Sequence, residues 1–541
     1  MAPRFSIVTP VHDPPVEVLR ATLRSVREQS FADWELCLVD DASTSAAVVA
    51  ALDRAAAEEP RVRLTRRGEN GGIVAASNDA LTMARGEFVV LLDHDDELRR
   101  DALALVDEAL AAQPEADYLY SDEDKIDILG RRSAPFFKPD WSPERFRTQM
   151  YTCHVSVLRR SLVDEVGGFR PGYEGSQDWD LILRVIERAR AVVHVPEVLY
   201  HWRLTESSTA AGGEAAKPYA YEAATRVLQD HCERTGFPAM VERDLEHSGV
   251  YHLRPALSEQ PPVSIVVPTV GGRRDVRGEF VTLVLRCVNS IVGKSTYPDY
   301  EIVLVADAGT PPAVLDQALA IAGDRLVVVD YDLPFNFADK INEGVLASGG
   351  DHVLLLNDDV EVVTPEWIER LVMYSATPGI GAVGAKLLYE DGRIQHAGVM
   401  LRHASPGHLF RGFGGDEGGY ANVIRVADNY TAVTGACLMT ERDLFLQVGG
   451  LSTLFPVNFN DVDYCLKVRS LGLRVVYDPD TVLHHYESAS RATGVDDTER
   501  ETFRRRWWHA TWQDPYDNPN FHPGSLHMVP PIYRPDGTIL F

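Results

Sequence analysis

Two carboxylates one residue apart stand directly after an apolar segment near the start of this chain. The segment Phe88–Leu92 is followed by Asp93 and Asp95, which form a D-x-D spacing. Carboxylate oxygens suit a hard divalent cation, and a cation bound on a turn keeps open positions for phosphate oxygens. We therefore expect this turn to hold Mg²⁺ or Mn²⁺, which would neutralise a leaving diphosphate. The alternative is an Asp-rich turn without a metal, because Asp is common at turns and helix caps.

A third carboxylate and a histidine recur at a fixed distance from each other. Asp178 follows a glycine-containing loop and begins a helical pattern, and a carboxylate there could take a proton from an incoming hydroxyl group. His201 follows Asp178 at the same spacing at which His484 follows Asp461, and His485 stands beside His484. Each Asp alone could be a helix N-cap, and each His alone could be structural. The ordered and repeated set favours catalysis.

The whole set belongs to an internal repeat. Asn78 corresponds to Asn342, and Asp93 corresponds to Asn357, so both pairs have the same offset along the chain. The other matching segments are 5–10 with 263–268 and 34–44 with 300–310. This repetition predicts two copies of one domain.

Alternating elements must position these residues. Short β-branched segments such as 36–39 and 88–92 alternate with segments of helical period such as 16–29 and 98–111. This alternation predicts an α/β fold with a mostly parallel sheet covered by helices. Ligands bind beyond the carboxyl ends of the strands in such sheets, and the aspartate pairs fall at those ends.

Composition and charge exclude several classes of protein. The 541 residues carry a formal net charge of −27, which would repel a nucleic-acid backbone. No apolar run approaches the roughly 20 residues of a membrane helix, and the N-terminus lacks a signal-peptide pattern. The six cysteines lie far apart without a C-x-x-C motif, which indicates buried free thiols. We therefore expect a soluble cytoplasmic protein.

Four regions follow from the repeat and from the composition between the copies. They are a first domain at 1–210, a helical connector at 211–261, a second domain at 262–490 and a C-terminal tail at 491–541. The tail contains the sequence Arg-Arg-Arg-Trp-Trp at 504–508. We expect its tryptophans to pack onto the second domain, and contact with an anionic membrane face is the alternative.

Over residues 4–210 and 262–490, these motifs resemble tandem family 2 glycosyltransferases of the GT-A fold. That family transfers sugars from nucleotide-diphosphate sugars with inversion, so the resemblance implies two GT-A domains with Rossmann-like sheets. It implies catalytic bases at Asp178 and Asp461. It implies metal ligands at Asp95, His201, Asp359 and His484. It implies nucleotide-sugar-binding residues at Thr9, Pro10, Asp41, Asp93, Pro268, Asp307 and Asn357.

Two lysines and two departures complete the comparison of the copies. Lys125 and Lys386 occupy similar places after the D-x-D turns, where each could contact a diphosphate or remain a solvated surface lysine. Asn357 stands where the first Asp of the second D-x-D is expected, which weakens the metal site without removing it, because Asp359 is retained. Ala306 stands where the first copy has an acid, so only one of the paired acids is kept there.

The resemblance also implies a function. It predicts transfer of hexosyl or deoxyhexosyl units to a growing, lipid-linked glycan, as in bacterial surface-polysaccharide or O-antigen synthesis, at the inner face of the plasma membrane. The repetition favours a bifunctional enzyme with one transfer per domain. One alternative is a single catalytic domain beside a domain that binds the acceptor or a partner. Another is a noncatalytic carbohydrate-binding scaffold, which would have no need for two bases.

Overall fold

The computed structural model describes residues 2–204, 218–403, 405–486, 496–510 and 513–540. Within these residues, a nine-stranded sheet and a ten-stranded sheet form the centres of the two predicted domains. The predicted α/β class and the tandem arrangement of two similar domains are confirmed. Among the described helices, none combines the length and the apolar character that a membrane span requires.

The first sheet brings the predicted carboxylates to one edge. Its strands are β1 (Phe5–Val11), β2 (Trp34–Asp40), β3 (Val62–Arg66), β4 (Phe88–Leu91), β5 (Glu97–Leu98), β6 (Ala116–Ile126), β7 (Arg132–Phe136), β8 (Ser156–Arg159) and β9 (Ala191–Arg203). Their order is β3-β2-β1-β4-β8-β6-β9-β5, with β7 paired to β6. Strand β1 is parallel to β2 and β4, whereas β8 is antiparallel to β4 and β6.

Helices cover the first sheet where their apolar periodicity predicts burial. They are Val16–Arg27, Ala46–Glu58, Gly72–Met83, Ala102–Ala112, Pro143–Phe146, Arg160–Glu165 and Gln177–Ile186. The helix Val16–Arg27 buries Leu19, Leu23 and Val26, which lie on one face at helical spacing.

The connector between the domains contains more than the predicted helix. The helix Pro218–Thr235 is followed by a hairpin of β10 (Ala239–Arg243) and β11 (Tyr251–Pro255). The hairpin strands are short, and their buried residues alternate with exposed ones, so the pattern is weak in the sequence. The predicted domain boundaries at 210/211 and 490/491 lie outside the described residues.

The second sheet repeats the topology of the first. Its strands are β12 (Val263–Thr269), β15 (Tyr300–Asp307), β16 (Leu326–Tyr331), β17 (His352–Leu356), β18 (Val360–Val362), β19 (Ile380–Leu388), β20 (Ile394–His396), β23 (Asp428–Asn429), β24 (Cys437–Glu441) and β25 (Arg474–His485). The main order is β16-β15-β12-β17-β24-β19-β25-β18. Two hairpins lie outside it, β13 (Arg273–Val276) with β14 (Glu279–Thr282), and β21 (Val399–Arg402) with β22 (Ser405–His408). The helices are Leu283–Lys294, Pro312–Ala322, Phe337–Ala347, Trp367–Ser375, Arg442–Gln447 and Asn460–Ser470.

The asparagine that marks the repeat has a structural role in both domains. Asn78 donates its Nδ2 to the carbonyl of Phe169 and accepts the N–H of the same residue, both at 2.9 Å. Asn342 forms the same pair of bonds with Leu451, both at 2.9 Å. One amide side chain that satisfies both backbone groups of a loop residue holds that loop against its helix. Each loop leads into the helix that carries a predicted base.

The C-terminal tail packs onto the second domain through the helix Asp497–Trp507. Phe503 of this helix lies against Phe455 and Phe459. Trp507 donates its Nε1 to Asp463 at 2.8 Å, so the predicted packing of the tail tryptophans is seen for Trp507. The tail ends with the short hairpin of β26 (Ile532–Tyr533) and β27 (Ile539–Leu540).

A buried polar interface joins the two domains. Glu144 of the first domain is fully buried and accepts two hydrogen bonds of 3.0 Å from the guanidinium of Arg474. Ser142 donates its hydroxyl to Asp428 at 2.7 Å, and Thr148 donates to the carbonyl of Ala427. The two domains are therefore held together by a set of polar contacts in which Glu144, Ser142, Thr148 and Asp428 are buried.

Candidate active site

A cleft at the carboxyl ends of β1 and β4 brings three predicted residues of the first domain together. Pro10, Asp93 and Asp178 line it, together with His154 and Gln177. Pro10 belongs to β1, Asp93 follows β4, and Asp178 lies in the first turn of the helix Gln177–Ile186. Asp178, the predicted catalytic base, and Asp93, a predicted nucleotide-sugar-binding residue, thus line the same cleft although they are far apart in the sequence.

Asp178 is placed as a proton acceptor. Its Oδ1 accepts the backbone N–H of Trp179 at 2.8 Å, and the side chain is half-buried. Burial raises the pKa of Asp178 above its ordinary value, which makes the carboxylate a stronger base. Further along the same helix, Asp180 is fully buried and anchors it through ion pairs with Arg170 and Arg184.

A cluster of potential ligands surrounds the first D-x-D turn. Ligand atoms of Asp93, Asp96 and His154 lie within 4.8 Å of one another. Burial and the neighbouring charges of Asp95 and Asp93 raise the pKa of Asp96 well above its usual range, and its carboxylate accepts the hydroxyl of Tyr200 at 2.6 Å. Burial lowers the pKa of His154 to about 4, so its imidazole is neutral and able to bind a cation. Asp95 is not a member of this cluster.

Sequence analysis did not single out Asp96 or His154. Asp96 belongs to the same acidic turn as Asp93, so the turn itself carried a signal for it. His154 precedes β8 and has no motif around it. Its position depends on the antiparallel pairing of β8 with β4, which a search for local patterns does not reveal.

His201 is oriented by a carboxylate on the neighbouring strand. Its Nδ1 pairs with Asp124 Oδ1 at 2.6 Å, and both side chains are buried. Its Nε2 is also buried and has no hydrogen-bond partner among the described residues. A histidine held through one ring nitrogen, with the other nitrogen available, is the usual arrangement of a metal-binding imidazole.

The residues of the first domain therefore fit a hard divalent cation. Asp93 and Asp96 offer carboxylate oxygens, and His154 offers a neutral imidazole. His201 is not a member of this cluster, but its buried Nε2 has no hydrogen-bond partner among the described residues, which costs free energy. This ligand set differs from the predicted pair of Asp95 and His201 in including Asp96 and His154.

The nucleotide-sugar-binding residues predicted for the first domain include Thr9 on β1 and Asp41 directly after β2. Asp41 accepts the backbone N–H groups of Gly71 and Gly72, both at 2.8 Å, and forms an ion pair with Arg67 at 3.0 Å. Thr9 is buried, and its hydroxyl has no hydrogen-bond partner among the described residues. A polar group left in this state can still bind a ligand.

Lys125 is engaged within the first domain. Its ammonium group pairs with Glu123 at 3.0 Å and lies 3.6 Å from the centre of the Trp202 ring. Its side chain is mostly covered, so it is not the solvated surface lysine of the alternative interpretation.

The second D-x-D turn faces His485. The Nε2 of His485 lies 3.1 Å from Asn357 Nδ2 and 3.0 Å from Asp359 Oδ1. His484 instead pairs its Nδ1 with the carbonyl of Tyr389 at 3.1 Å. In the strand register, however, His484 pairs with Glu361, just as His201 pairs with Glu97 in the first domain, so His484 takes the position of His201 along the strand. Neighbouring residues of a strand point to opposite faces, so only one of the two histidines can contact the turn.

The second predicted base is held more tightly than the first. Asp461 accepts the N–H of Val462 on Oδ1 at 2.8 Å and the N–H of Gly435 on Oδ2 at 2.9 Å. It lies in the first turn of the helix Asn460–Ser470, which follows Phe459 in a left-handed conformation at φ 64°.

Internal partners also occupy the nucleotide-binding residues predicted in the second domain. The buried Lys340 pairs with Asp307 at 2.5 Å, where the first domain has Ala76 at the corresponding place. Lys386 is nearly buried and donates its ammonium group to the carbonyl of Gly415, and burial lowers its pKa. Pro268 is buried on β12, in register with Val305 of β15.

Comparison with known families agrees with this geometry. The profile described as "Glycosyl transferase family 2" matches residues 6–167, and the profile described as "Glycosyltransferase like family 2" matches residues 261–510. Both domains are therefore glycosyltransferase domains. The chain belongs to the family 2 glycosyltransferases and carries two such domains in tandem.

Two long relatives cover nearly the whole chain. It is 42% identical over 537 residues to the uncharacterized protein y4gI of Sinorhizobium fredii, covering 96% of this chain and 57% of the relative. It is 38% identical over 526 residues to the O-antigen biosynthesis protein RfbC of Myxococcus xanthus, covering 96% and 40%. The chain thus spans about half the length of these curated relatives.

Solved structures show weaker similarity. Staphylococcus aureus TarS in complex with UDP-GlcNAc is 21% identical with a TM-score of 0.35, over 42% of this chain and 66% of that chain. The Pyrobaculum calidifontis mannosyltransferase PcManGT in complex with GDP-Man and Mn²⁺ is 20% identical with a TM-score of 0.32, over 44% and 59%.

Proposed function

We propose that the first domain transfers a sugar from a nucleotide-diphosphate sugar to a glycan hydroxyl, with inversion and with the help of Mg²⁺ or Mn²⁺. The observation that carries this proposal is the cleft that Asp178 lines together with Asp93 and His154, which form a cluster of potential ligands with the buried Asp96 behind them. An in-line displacement at the anomeric carbon needs a base for the attacking hydroxyl and, on the opposite side, a cation site for the leaving diphosphate.

Each residue of the cleft has a defined part in this reaction. Asp178 takes the proton of the acceptor hydroxyl, whose oxygen forms a new bond to the anomeric carbon. The bond from that carbon to the diphosphate oxygen breaks on the opposite face, and the diphosphate keeps the electron pair. A bound divalent cation supplies charge neutralisation for this leaving group. Asp93, Asp96 and His154 would hold that cation, and His201 would face the same anion.

Sugar transfer can be tested with one enzyme preparation. Nucleotide-diphosphate sugars with different bases are incubated with the full chain and Mn²⁺ or Mg²⁺, and release of the nucleoside diphosphate is followed by chromatography. The proposal predicts release with at least one donor. Release should be lost when Asp178→Asn is added to the Asp461→Asn variant, in which the second domain cannot contribute. Equal release by Asp461→Asn with and without Asp178→Asn would refute the role of this base.

We further propose that the second domain performs its own transfer, so that the chain is bifunctional. Asp461 retains the place of Asp178, and Asp359 retains the last carboxylate of the D-x-D turn. Asp178→Asn and Asp461→Asn should then stall glycan synthesis at different products, as seen by mass spectrometry. Normal product from Asp461→Asn would show that only the first domain is catalytic.

A second candidate function for the second domain is binding of the acceptor or of a partner. It is favoured by the contacts of Asp307 with Lys340 and of Asp359 with His485, which engage the predicted donor site from within. The same product analysis decides between the two, because a binding domain would leave no stalled intermediate when Asp461 is replaced. A noncatalytic scaffold would release no nucleoside diphosphate from any donor.

The acceptor is proposed to be a growing, lipid-linked surface glycan at the inner face of the plasma membrane. The name of the Myxococcus xanthus relative, an O-antigen biosynthesis protein, supports this class of product. The test incubates the enzyme with purified lipid-linked acceptor and the donor found in the release assay, and measures sugar transferred to the lipid-linked glycan. Transfer of the sugar only to water would count against this acceptor.

A further inference from the structure

The last segment of the chain returns from the second domain to the first. We call residues 513–540 the C-terminal strap. On the second domain, Asp514 accepts the N–H of Leu401 at 2.7 Å, and Asp517 pairs with the guanidinium of Arg402 at 2.6 Å. The strap is thus anchored on β21 before it crosses over.

On the first domain the strap contacts strands β6 and β7 and the segment that follows them. Asn518 donates its Nδ2 to Asp122 at 2.9 Å and to the carbonyl of Lys138 at 2.8 Å. The carbonyl of Pro535 accepts the N–H of Arg132 at 2.8 Å. These bonds place the hairpin of β26 and β27 beside β7.

One residue of this hairpin reaches the carboxylate that orients His201. Tyr533 donates its hydroxyl to Asp124 Oδ2, while Asp124 Oδ1 pairs with His201 Nδ1. Asp124 is fully buried, and Arg132 is 4.0 Å from it. Burial and the charge of Asp124 raise the pKa of Tyr533, so the phenol remains a hydrogen-bond donor. Both oxygens of Asp124 therefore have a partner, and one partner comes from the far end of the chain.

We propose that Tyr533 is a positioning residue for the first active site, which acts through Asp124 to hold His201 toward the bound cation and diphosphate. The proposal rests on the proposed function of the first domain. Without the phenol hydroxyl, a buried carboxylate oxygen loses its partner, and the carboxylate can rotate away from His201. The imidazole Nε2 then no longer keeps the direction that binding requires.

This arrangement makes the first site depend on a segment that follows the second domain in the sequence. The strap holds Arg402 of the second domain through Asp517 and Asp124 of the first domain through Tyr533.

The test measures binding of Mn²⁺ with a nucleoside diphosphate to the full chain by calorimetry. UDP, GDP, ADP, CDP and TDP are titrated first, and the one that the wild type binds is used with all variants. Replacement of a group that orients a metal ligand costs about 10–100-fold in affinity, so Tyr533→Phe should weaken binding by about tenfold or more. The matched control is Ile532→Ala, which removes an exposed neighbouring side chain and should leave the affinity unchanged.

A double-mutant cycle separates positioning from loss of packing. In the His201→Ala background, Tyr533→Phe should have no further effect on affinity, because the imidazole it positions is gone. An equal weakening in both backgrounds, or an unchanged affinity of Tyr533→Phe alone, would overturn the inference while leaving the proposed function in place. Failure of the wild type to bind any of the five nucleoside diphosphates with Mn²⁺ would overturn both.

Discussion

Replacement of Asp178 by Asn should separate catalysis from folding. The amide Oδ1 of Asn can still accept the N–H of Trp179, so the side chain should keep its place at the start of the helix. What it loses is the ability to take a proton. Removal of a general base lowers the rate by about 10²–10⁴-fold. At about 1.36 kcal/mol per factor of ten, this corresponds to roughly 2.7–5.5 kcal/mol of barrier.

The same replacement should not lower stability at neutral pH. Burial raises the pKa of Asp178 in the native state, so the native protein holds this proton more tightly than the unfolded chain does. The unfolding free energy therefore falls as pH rises from about 4, the unfolded pKa, through the raised native pKa. Above that window the cost of the buried charge is fully present, and Asn removes it. The variant should be at least as stable as the wild type at pH 7, and the difference should vanish below about pH 4.

The assay combines thermal melting at several pH values with initial rates of nucleoside diphosphate release, which are measured in the Asp461→Asn background so that only the first domain contributes. Asp180→Asn is the matched control, because Asp180 lies on the same helix and is paired with the buried Arg184. Breaking such a pair costs about 3–5 kcal/mol, so this variant should melt earlier. Unchanged turnover in Asp178→Asn, or a drop in its melting temperature like that of Asp180→Asn, would refute the assignment of Asp178 as a base.

Two further predictions concern the cation and the interface between the domains. Excess EDTA should abolish nucleoside diphosphate release, and full turnover in EDTA would contradict the need for a cation. Asp93→Ala should weaken Mn²⁺-dependent nucleotide binding in calorimetry. It should not lower the melting temperature, because the charge of Asp93 raises the pKa of the buried Asp96 and its removal relieves that repulsion. Glu144→Gln should lower the unfolding free energy by about 1–3 kcal/mol because Arg474 loses its charged partner. Scanning calorimetry measures the unfolding transition. The control is Asp391→Asn, which removes one partner of an exposed ion pair and should not shift the transition temperature. Equal transition temperatures in the two variants would show that the interface pair contributes nothing to stability.

The repeated order of strands, the carboxylates at their ends and the helices that carry Asp178 and Asp461 were predictable from the sequence. These features depend on local patterns, namely apolar segments followed by acids and glycine loops followed by amphipathic helices. The repetition of the same residues in both domains supported the prediction of a catalytic site more strongly than any single motif did. It also marked Asn78 and Asn342, although only the structure shows that they fix the loops at Phe169 and Leu451.

The remaining site residues depend on contacts between distant strands. His154 reaches the D-x-D turn because β8 pairs antiparallel with β4, and no local pattern encodes that pairing. The repeated spacing from the predicted base pointed to His484, but the strand turns His485 toward Asp359 instead. A spacing rule cannot choose between adjacent residues of a strand, since they point to opposite faces. No local pattern predicts the contact between Asp124 and Tyr533 either, because the two residues are 409 positions apart in the sequence.

The two donor sites should bind nucleotide with unequal affinity, because the predicted nucleotide-sugar-binding carboxylate Asp307 pairs with the buried Lys340, whereas Asp41 of the first domain pairs with Arg67, which is partly exposed. A donor entering the second site must separate Lys340 from Asp307 in a buried environment. In the first domain, Asp41 accepts two backbone N–H groups, and its cation Arg67 is partly exposed, so the cost of donor entry should be smaller. A hydrogen bond to a charged group contributes about 1.5–3 kcal/mol, so its loss should weaken binding by about tenfold or more. Calorimetry on Asp93→Ala reports the second site, and calorimetry on Asp359→Ala reports the first. Equal affinities in the two variants would contradict this prediction and would show that separation of Lys340 from Asp307 has no measurable cost.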